Sequence, residues 1–230
     1  MPLITVKPGV YVVGGRELSY VLDTNVYLIN VNNFYILIDA GTSLGLNNLL
    51  SNLMELNINI EDLRYVILTH SHFHAAGGAY IFNNLPSLIV AHEPDSSYLR
   101  KLDLKKMSIT EDLRSMLSPI HVSVNIPLNK HVFKLPGGIT IIHTPGHTEG
   151  SISVFVENMG VLFVGDLVSN ILSEDWGSNE ELYHRSIREV ITLAEKYNVE
   201  VLCSSYNCIR GTRSIVEFLE QLLSKKPLWV

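Results

Sequence analysis

Cysteine is scarce in this chain. Only two of the 230 residues are cysteine, Cys203 and Cys208, and no stretch resembles a secretory signal peptide. Disulfide-rich secreted scaffolds are therefore excluded, and a reducing cytosol is the expected compartment. No second cysteine pair accompanies the first, which favours a structural pair at a strand end over a zinc or redox site. We expect a cytoplasmic protein.

Charge and long apolar runs are also limited. Charged residues make up 17% of the chain, its formal net charge is −6, and no basic stripe is present. This argues against a nucleic-acid partner. The apolar stretches are strand-length, too short to cross a bilayer, so no membrane partner is expected. Internal repeats and Pro/Gly/Ser linkers are absent, and the 47% of hydrophobic residues suits a globular protein. We expect one domain over residues 1–230, with its oligomeric state left open.

Hydrophobic periodicity predicts a mixed α/β chain. Short apolar runs bounded by turn residues indicate strands, and Asn32-Asn33 is a candidate tight turn between two of them. A spacing of three to four residues indicates amphipathic helices. Residues 79–82 fit a short helix, and residues 93–120 read as helix or insertion. The predicted strands cover residues 10–14, 25–31, 34–41, 64–68, 87–92, 138–144, 151–157, 160–166 and 199–204, and the predicted helices cover residues 44–56, 180–196 and 212–224.

The segment THSHFHAAGG, residues 69–78, places histidines at every second position after an apolar strand. In extended backbone, side chains at i and i+2 lie on the same face, so His70 and His72 can point at one ion. His74 would lie about 13 Å from His70 on a straight strand, at ~3.3 Å per residue. Either the chain turns after Phe73 or His74 serves a different position. The alternative to metal binding is a chance polar loop.

The segment IIHTPGHTEGS, residues 141–151, is the second candidate. Its strand ends at Thr144, and Pro145-Gly146 turns the chain so that His147 lies where the turn ends. A catalytic zinc site needs three protein ligands and one open position, and His147 would complete the set begun by His70 and His72. The alternative is a surface histidine in a turn.

Asp166 is the third candidate because it ends the apolar stretch VLFVGD. A carboxylate in this place is costly to bury without a cation or hydrogen-bond donors. It is either a strand-end cap or a metal ligand.

The order of these elements resembles the metallo-β-lactamase superfamily, particularly its glyoxalase II and lactonase branch. The matching motifs are THxHxxxxGG, then TPGHTxGS, then a hydrophobic strand closing in GD, preceded by ILIDAG at residues 36–41. The resemblance runs over essentially the whole chain. It implies a four-layer αββα sandwich that holds metal between two sheets at one edge.

The resemblance also implies roles for individual residues. His70, His72 and His147 would hold the first zinc ion, and Asp166 would bridge towards a second. Asp39 would order its loop and support a ligand histidine, because such a histidine commonly donates its other N–H to an outer partner.

The second metal site departs from the family pattern. Members with two metals usually read HxHxDH, whereas this chain has His74 and Ala75 at the last two positions. The histidine of the family's late motif corresponds to Ser205. Only His74 and Asp166 stay available there, and two protein ligands seldom hold zinc tightly. We expect one firmly bound zinc ion and a weak or empty second site.

Three functions follow in order of preference. The first is a zinc-dependent hydrolase of a small ester, thioester, lactone or related bond, in which zinc lowers the pKa of its water towards about 7. His74 and Asp166 would then be catalytic, since histidine titrates near neutral pH, although His74 could equally be a fourth ligand. The second is a degenerate member that binds metal or a small molecule without turnover. The third is a metal-dependent nuclease.

Overall fold

The computed structural model describes residues 3–31, 34–117 and 120–230, so the predicted turn at Asn32-Asn33 lies outside the described residues. The chain forms strands of two to six residues in two large sheets and one small one. In chain order the strands are β1 (Ile4–Lys7), β2 (Val10–Gly14), β3 (Val26–Val31), β4 (Phe34–Ile38), β5 (Leu63–Ile67), β6 (Leu88–His92), β7 (Ile126–Leu128), β8 (Val132–Leu135), β9 (Ile139–His143), β10 (Ile152–Val156), β11 (Val161–Phe163), β12 (Ile171–Leu172), β13 (Val201–Cys203), β14 (Cys208–Arg210) and β15 (Leu228–Trp229).

The first large sheet has the order β1-β2-β3-β4-β5-β6-β7. Its first four strands are antiparallel hairpins, and β4 to β7 are then parallel. The second has the order β14-β13-β11-β10-β9-β8. It is antiparallel from β8 to β11, with β13 parallel to β11. Strands β12 and β15 form a separate two-stranded ladder.

The helices lie on the outer faces of the two large sheets. The longest begins after Asn179, whose side chain accepts a hydrogen bond from the backbone N–H of Leu182. Its first turn is acidic and its last turn contains Lys196, which suits the helix dipole at both ends. The helices are α1 (Leu46–Glu55), α2 (Phe73–Ala76), α3 (Asp95–Lys101), α4 (Glu111–Leu117), α5 (Glu180–Lys196) and α6 (Thr212–Leu223), with 3-10 turns at Ser43–Gly45, Ile60–Asp62, Ala79–Phe82, Glu157–Met159, Gly165–Val168 and Glu174–Trp176.

Three apolar clusters define four layers. The first cluster joins α1 to the outer face of the first sheet, and Leu49 and Val66 belong to it. The second lies between the sheets, where Tyr27 of one sheet meets Phe163 of the other with ring centroids 5.0 Å apart. The third joins the second sheet to α5 and α6 and includes Tyr183. The predicted four-layer αββα sandwich is therefore confirmed.

The element predictions failed mainly at short edge strands. Strands β1, β7, β8 and β14 contain three or four residues each and were not predicted. They lack a readable alternation because one carries a proline and the others are partly exposed, so pairing with a neighbour decides their conformation. Residues 93–120, read as helix or insertion, contain α3 and α4.

The fold brings several strand ends to one edge. Strands β4, β5 and β6 are parallel and therefore end on the same side of the first sheet. In the second sheet β9, β11 and β13 also share one direction. The residues that follow these six strands form the candidate site.

Cys203 and Cys208 face each other across the antiparallel pair of β13 and β14. Their sulfur atoms form a disulfide, which closes the loop 204–207 beside the site. The cysteines are thus a pair at a strand end, as predicted, but the covalent bond between them goes beyond that prediction. Among the described residues, every helix is too short or too polar to cross a membrane.

Removing the Phe163 ring should test how much the contact between the sheets stabilises the fold. Phe163 is 1% exposed, so Phe163→Ala leaves a cavity and should lower the free energy of unfolding by about 3–5 kcal/mol. Urea denaturation measures this. Val132→Ala on β8, where valine is 46% exposed, is the control and should cost well under about 1 kcal/mol. Similar losses in both variants would contradict the layered core.

Candidate metal centre

The first ligand loop follows β5 and carries three histidines. His70 and His72 lie in extended or bent backbone, and α2 begins immediately afterwards at Phe73. This helical turn resolves the question about His74, because it brings the third imidazole back towards the first. His70 and His74 have their Nε2 atoms 3.2 Å apart.

Four donor atoms converge at the edge between the sheets. One ligand atom each of His70, His72, His147 and Asp166 lies within 4.8 Å of all the others. His147 Nε2 is 3.2 Å from His72 Nδ1 and 3.5 Å from Asp166 Oδ2, and His70 Nε2 is 3.9 Å from the same carboxylate oxygen. Zinc–nitrogen bonds of ~2.0–2.1 Å in a tetrahedron imply donor separations of about 3.3–3.4 Å. The spacing suits one cation.

The remote ring nitrogens fix two of these imidazoles. His70 Nδ1 lies 3.0 Å from Thr69 Oγ1, and the Thr69 hydroxyl in turn donates to Asp39. His147 Nδ1 donates to the carbonyl of Ile171 at 2.9 Å. Because both Nδ1 atoms carry their protons outwards, both Nε2 lone pairs point into the centre. Asp39 thus supports a candidate ligand through the Thr69 hydroxyl. It also accepts a hydrogen bond from the backbone N–H of Thr69.

The protonation states also suit a cation. Burial lowers the pKa of His70 and His72 well below the ordinary value, and it lowers the pKa of His147. These imidazoles are therefore neutral at neutral pH, with a free lone pair each. Burial alone would raise the pKa of Asp166, but His74, the neighbour that acts most strongly on this carboxylate, holds that pKa well below its usual range.

The site has an excess of buried negative charge. Asp39, Asp95 and Asp166 are all at most 5% exposed, whereas no lysine or arginine is buried anywhere in the described part of the chain. Burial raises the pKa of Asp39 to about 7 even though Thr69 donates to it, and it raises the pKa of Asp95. Carboxylates that are buried without a positive counter-charge lower the stability of the fold. A divalent cation beside Asp166 would offset that cost.

His74 lies at the entrance of the centre. Its Nε2 is 3.3 Å from Asp166 Oδ2, and its side chain is 20% exposed, against 4% for Asp166 and 1% for His70. It contacts two members of the four-residue group without belonging to it. Of the five predicted ligands, the structure therefore brings four together tightly and places the fifth, His74, on their solvent side.

The altered positions of the second site are buried and poor in ligands. Ala75 is fully buried, and Ser205 is 1% exposed. Among the described residues, Ser205 Oγ and Asp166 Oδ1 have no hydrogen-bond partner. Alanine offers no ligand atom and serine only a hydroxyl, so these two positions add little to a second zinc site.

Several further polar residues do not belong to the group of converging donor atoms. His92 and His143 stack on each other with ring centroids 3.8 Å apart, which indicates a structural role for both. Tyr206 is 60% exposed, and Asn207 accepts a hydrogen bond from the Ser204 hydroxyl. His184 on α5 is partly exposed.

Two residues near the centre were missed or left undecided by the sequence. The sequence alone leaves open whether Trp176 lines a pocket or simply packs. In the structure its ring lies against His72 and His147, with centroids 4.5 Å and 5.3 Å away. Asp95 accepts hydrogen bonds from both ligand loops. Its position shortly after β6, like that of Asp39 after β4, is the signal that could have identified it.

Sequence comparisons agree with this geometry. A family model described as the metallo-beta-lactamase superfamily matches residues 19–205. The chain is 35% identical over 154 residues to the "Probable metallo-hydrolase" of Methanocaldococcus jannaschii, covering 65% of this chain and 69% of that protein. It is also 30% identical over 97 residues to an N-acyl homoserine lactonase of Bacillus cereus, covering 42% of this chain and 34% of the lactonase.

A solved structure shows the same fold. A metallo-beta-lactamase family protein from Thermus thermophilus superposes with a TM-score of 0.71 at 21% sequence identity. The match covers 96% of this chain and 80% of that chain.

Replacing His143 should reduce the sensitivity of the fold to acid. Burial lowers the pKa of His143 to about 4 from an ordinary 6.5. The unfolded chain therefore takes up this proton first, and His143 destabilises the folded state as pH falls from 6.5 towards 4. His143→Phe keeps a ring against His92 but cannot titrate. Going from pH 7.5 to pH 5, the unfolding free energy of this variant should fall by about 1 kcal/mol less than that of the unaltered chain, because partial exposure of His143 weakens the effect. Denaturation at both pH values measures this, and parallel losses would contradict it.

Proposed function

Since the chain belongs to the metallo-beta-lactamase superfamily, we propose that it is a zinc-dependent hydrolase of a small ester, thioester, lactone or related bond. The observation that carries this proposal is the convergence of three imidazole nitrogens and one carboxylate oxygen at the edge between the sheets. His70, His72 and His147 are the proposed zinc ligands, with Asp166 beside them. Three histidines with one further position is the ligand pattern of a catalytic zinc site.

A bound zinc ion would polarise a carbonyl oxygen and lower the pKa of its water towards about 7. The protein's own contribution starts with His74, the most exposed imidazole beside the centre. We assign His74 Nε2 the transfer of a proton between the attacking water and the leaving group. Asp166 orients that imidazole through its Oδ2, 3.3 Å away. Thr69 with Asp39, and the carbonyl of Ile171, hold the proposed ligands in their tautomers.

The substrate class is inferred from relatives and from charge. The lactonase of Bacillus cereus acts on an N-acyl homoserine lactone by its name, and its similarity supports a cyclic or linear ester or thioester as substrate. The formal net charge of −6 argues against a nuclease, because phosphate backbones bind basic surfaces. We expect a small uncharged acyl compound to be cleaved.

The ligand set supports one firmly bound ion. Ala75 and Ser205 supply no strong ligand where two-metal members have histidine, so the second position is proposed to be weak or empty. A single domain over residues 1–230 and a cytoplasmic location stay proposals. The disulfide between Cys203 and Cys208 does not favour the latter, because disulfides are rare in most reducing cytosols.

Metal analysis should separate ligands from non-ligands. Purified protein loaded with zinc and dialysed should retain about one ion per chain by mass spectrometry. His70→Ala should lose that ion, because two histidines and a carboxylate hold zinc less tightly. His74→Ala should keep it. His131→Ala is the matched control, since that histidine is 55% exposed and pairs with Glu189. Near two ions per chain, or loss of zinc in His74→Ala, would contradict the single-site proposal.

Hydrolysis by the zinc-loaded protein should be tested on a thioester, a lactone and a phosphodiester. We expect turnover of the first or second and none of the third. His74→Ala should lower kcat about 100- to 10,000-fold with zinc content unchanged, because it removes a proton-transfer group. Absence of turnover on all three at full zinc loading would favour the binding protein without catalysis, the alternative suggested by the altered second site.

A further inference from the structure

Asp95 connects the two loops that carry the three histidines. It lies shortly after β6, is 1% exposed, and does not belong to the group of converging donor atoms. Its Oδ2 accepts the backbone N–H of Ser71 at 2.7 Å and the hydroxyl of Thr148 at 2.8 Å. Its Oδ1 accepts the backbone N–H of Gly150 at 2.8 Å.

These partners stand next to the proposed ligands in the sequence. Ser71 lies between His70 and His72, and Thr148 directly follows His147. The first loop follows β5 of one sheet and the second follows β9 of the other, so their spacing is not fixed by a shared ladder. One backbone hydrogen bond, from Ile152 to the carbonyl of Thr69, also joins them.

We propose that Asp95 is a positioning residue for the metal centre, setting the distance between the His70–His72 pair and His147. This inference rests on the proposed metal site and extends it to a side chain that touches no metal. A charge-assisted hydrogen bond that a carboxylate accepts from a backbone N–H is about twice as strong as a neutral one. Three donors on one buried carboxylate therefore hold both loops in a single arrangement.

The surroundings of Asp95 are built closely around it. A Cβ atom added to Gly150 would lie 2.6 Å from Asp95 Oδ1 and 2.7 Å from its Cγ. Glycine is therefore needed at this position for the carboxylate to reach the second loop. Both carboxylate oxygens of Asp95 accept hydrogen bonds. An asparagine in this place would have only one oxygen, and its amide N–H groups would face a donor on the other side.

The test measures zinc affinity, by competition with a chelating dye, in the full chain. Asp95→Asn should raise the zinc dissociation constant about 10- to 100-fold, the range found when partners that orient metal ligands are removed. Thr148→Val, which removes one donor and keeps the side-chain shape, should raise it by less. Gly150→Ala should raise the dissociation constant as much as Asp95→Asn does, because its new methyl group would displace the Asp95 carboxylate.

Asp23→Asn is the matched control. Asp23 is also buried, at 5% exposure, and it accepts hydrogen bonds from Ser19 and Thr42, neither of which adjoins a proposed ligand. It should lower the unfolding temperature while the zinc dissociation constant stays within about twofold of the unaltered chain.

The outcomes separate this inference from the proposed function. If Asp95→Asn and Thr148→Val bind zinc as tightly as the unaltered chain does, the proposed role of Asp95 is overturned and the hydrolase proposal stays intact. An equal loss of affinity in Asp23→Asn would also overturn it, by showing a general effect of destabilisation. If Asp95→Asn fails to fold, Thr148→Val and Gly150→Ala decide by the same criterion. Weakened binding in these variants, with no turnover in the unaltered chain, would uphold the role of Asp95 and reject the hydrolase.

Discussion

A buried carboxylate facing three neutral imidazoles is the constraint on which this structure depends. Asp166 is buried away from solvent, and the same burial lowers the pKa of its neighbours His70, His72 and His147. Neutral imidazoles offer lone pairs, and lone pairs crowded around an anion repel each other unless a cation lies among them. The arrangement makes physical sense as a metal centre, and the outer contacts of Thr69, Asp39 and Ile171 are consistent with that reading.

The fold meets this constraint by separating support from chemistry. The two sheets supply stiff strands whose ends share one edge, and the loops beyond them carry the reactive side chains. Buried aspartates hold both loops by hydrogen bonds. Asp39 accepts them from the first loop, and Asp95 accepts them from both loops. The site is therefore a junction of two sheets, and its geometry depends on how well the loops are held against each other.

The sequence predicts some residues of this site and leaves others unidentified. His70, His72, His147 and Asp166 are identifiable because each follows a strongly apolar strand, where an isolated polar group needs an explanation. His74 has a position that depends on whether the backbone turns at Phe73, and spacing alone leaves that open. Asp95 is hidden because most of its partners are backbone amides, which any sequence supplies. Edge strands such as β7 and β8 are not predicted, because pairing with a neighbouring strand determines their extended conformation.

The indole of Trp176 rests on two of the imidazoles at the centre, 4.5 Å from the ring of His72. The chain has two tryptophans, and the other, Trp229, is 41% exposed at the far end of the sequence. Any change in charge on those imidazoles alters the electric field at the Trp176 indole. The protein thus contains its own optical reporter, and ultraviolet emission from a chain lacking Trp229 follows events at the centre without an added dye.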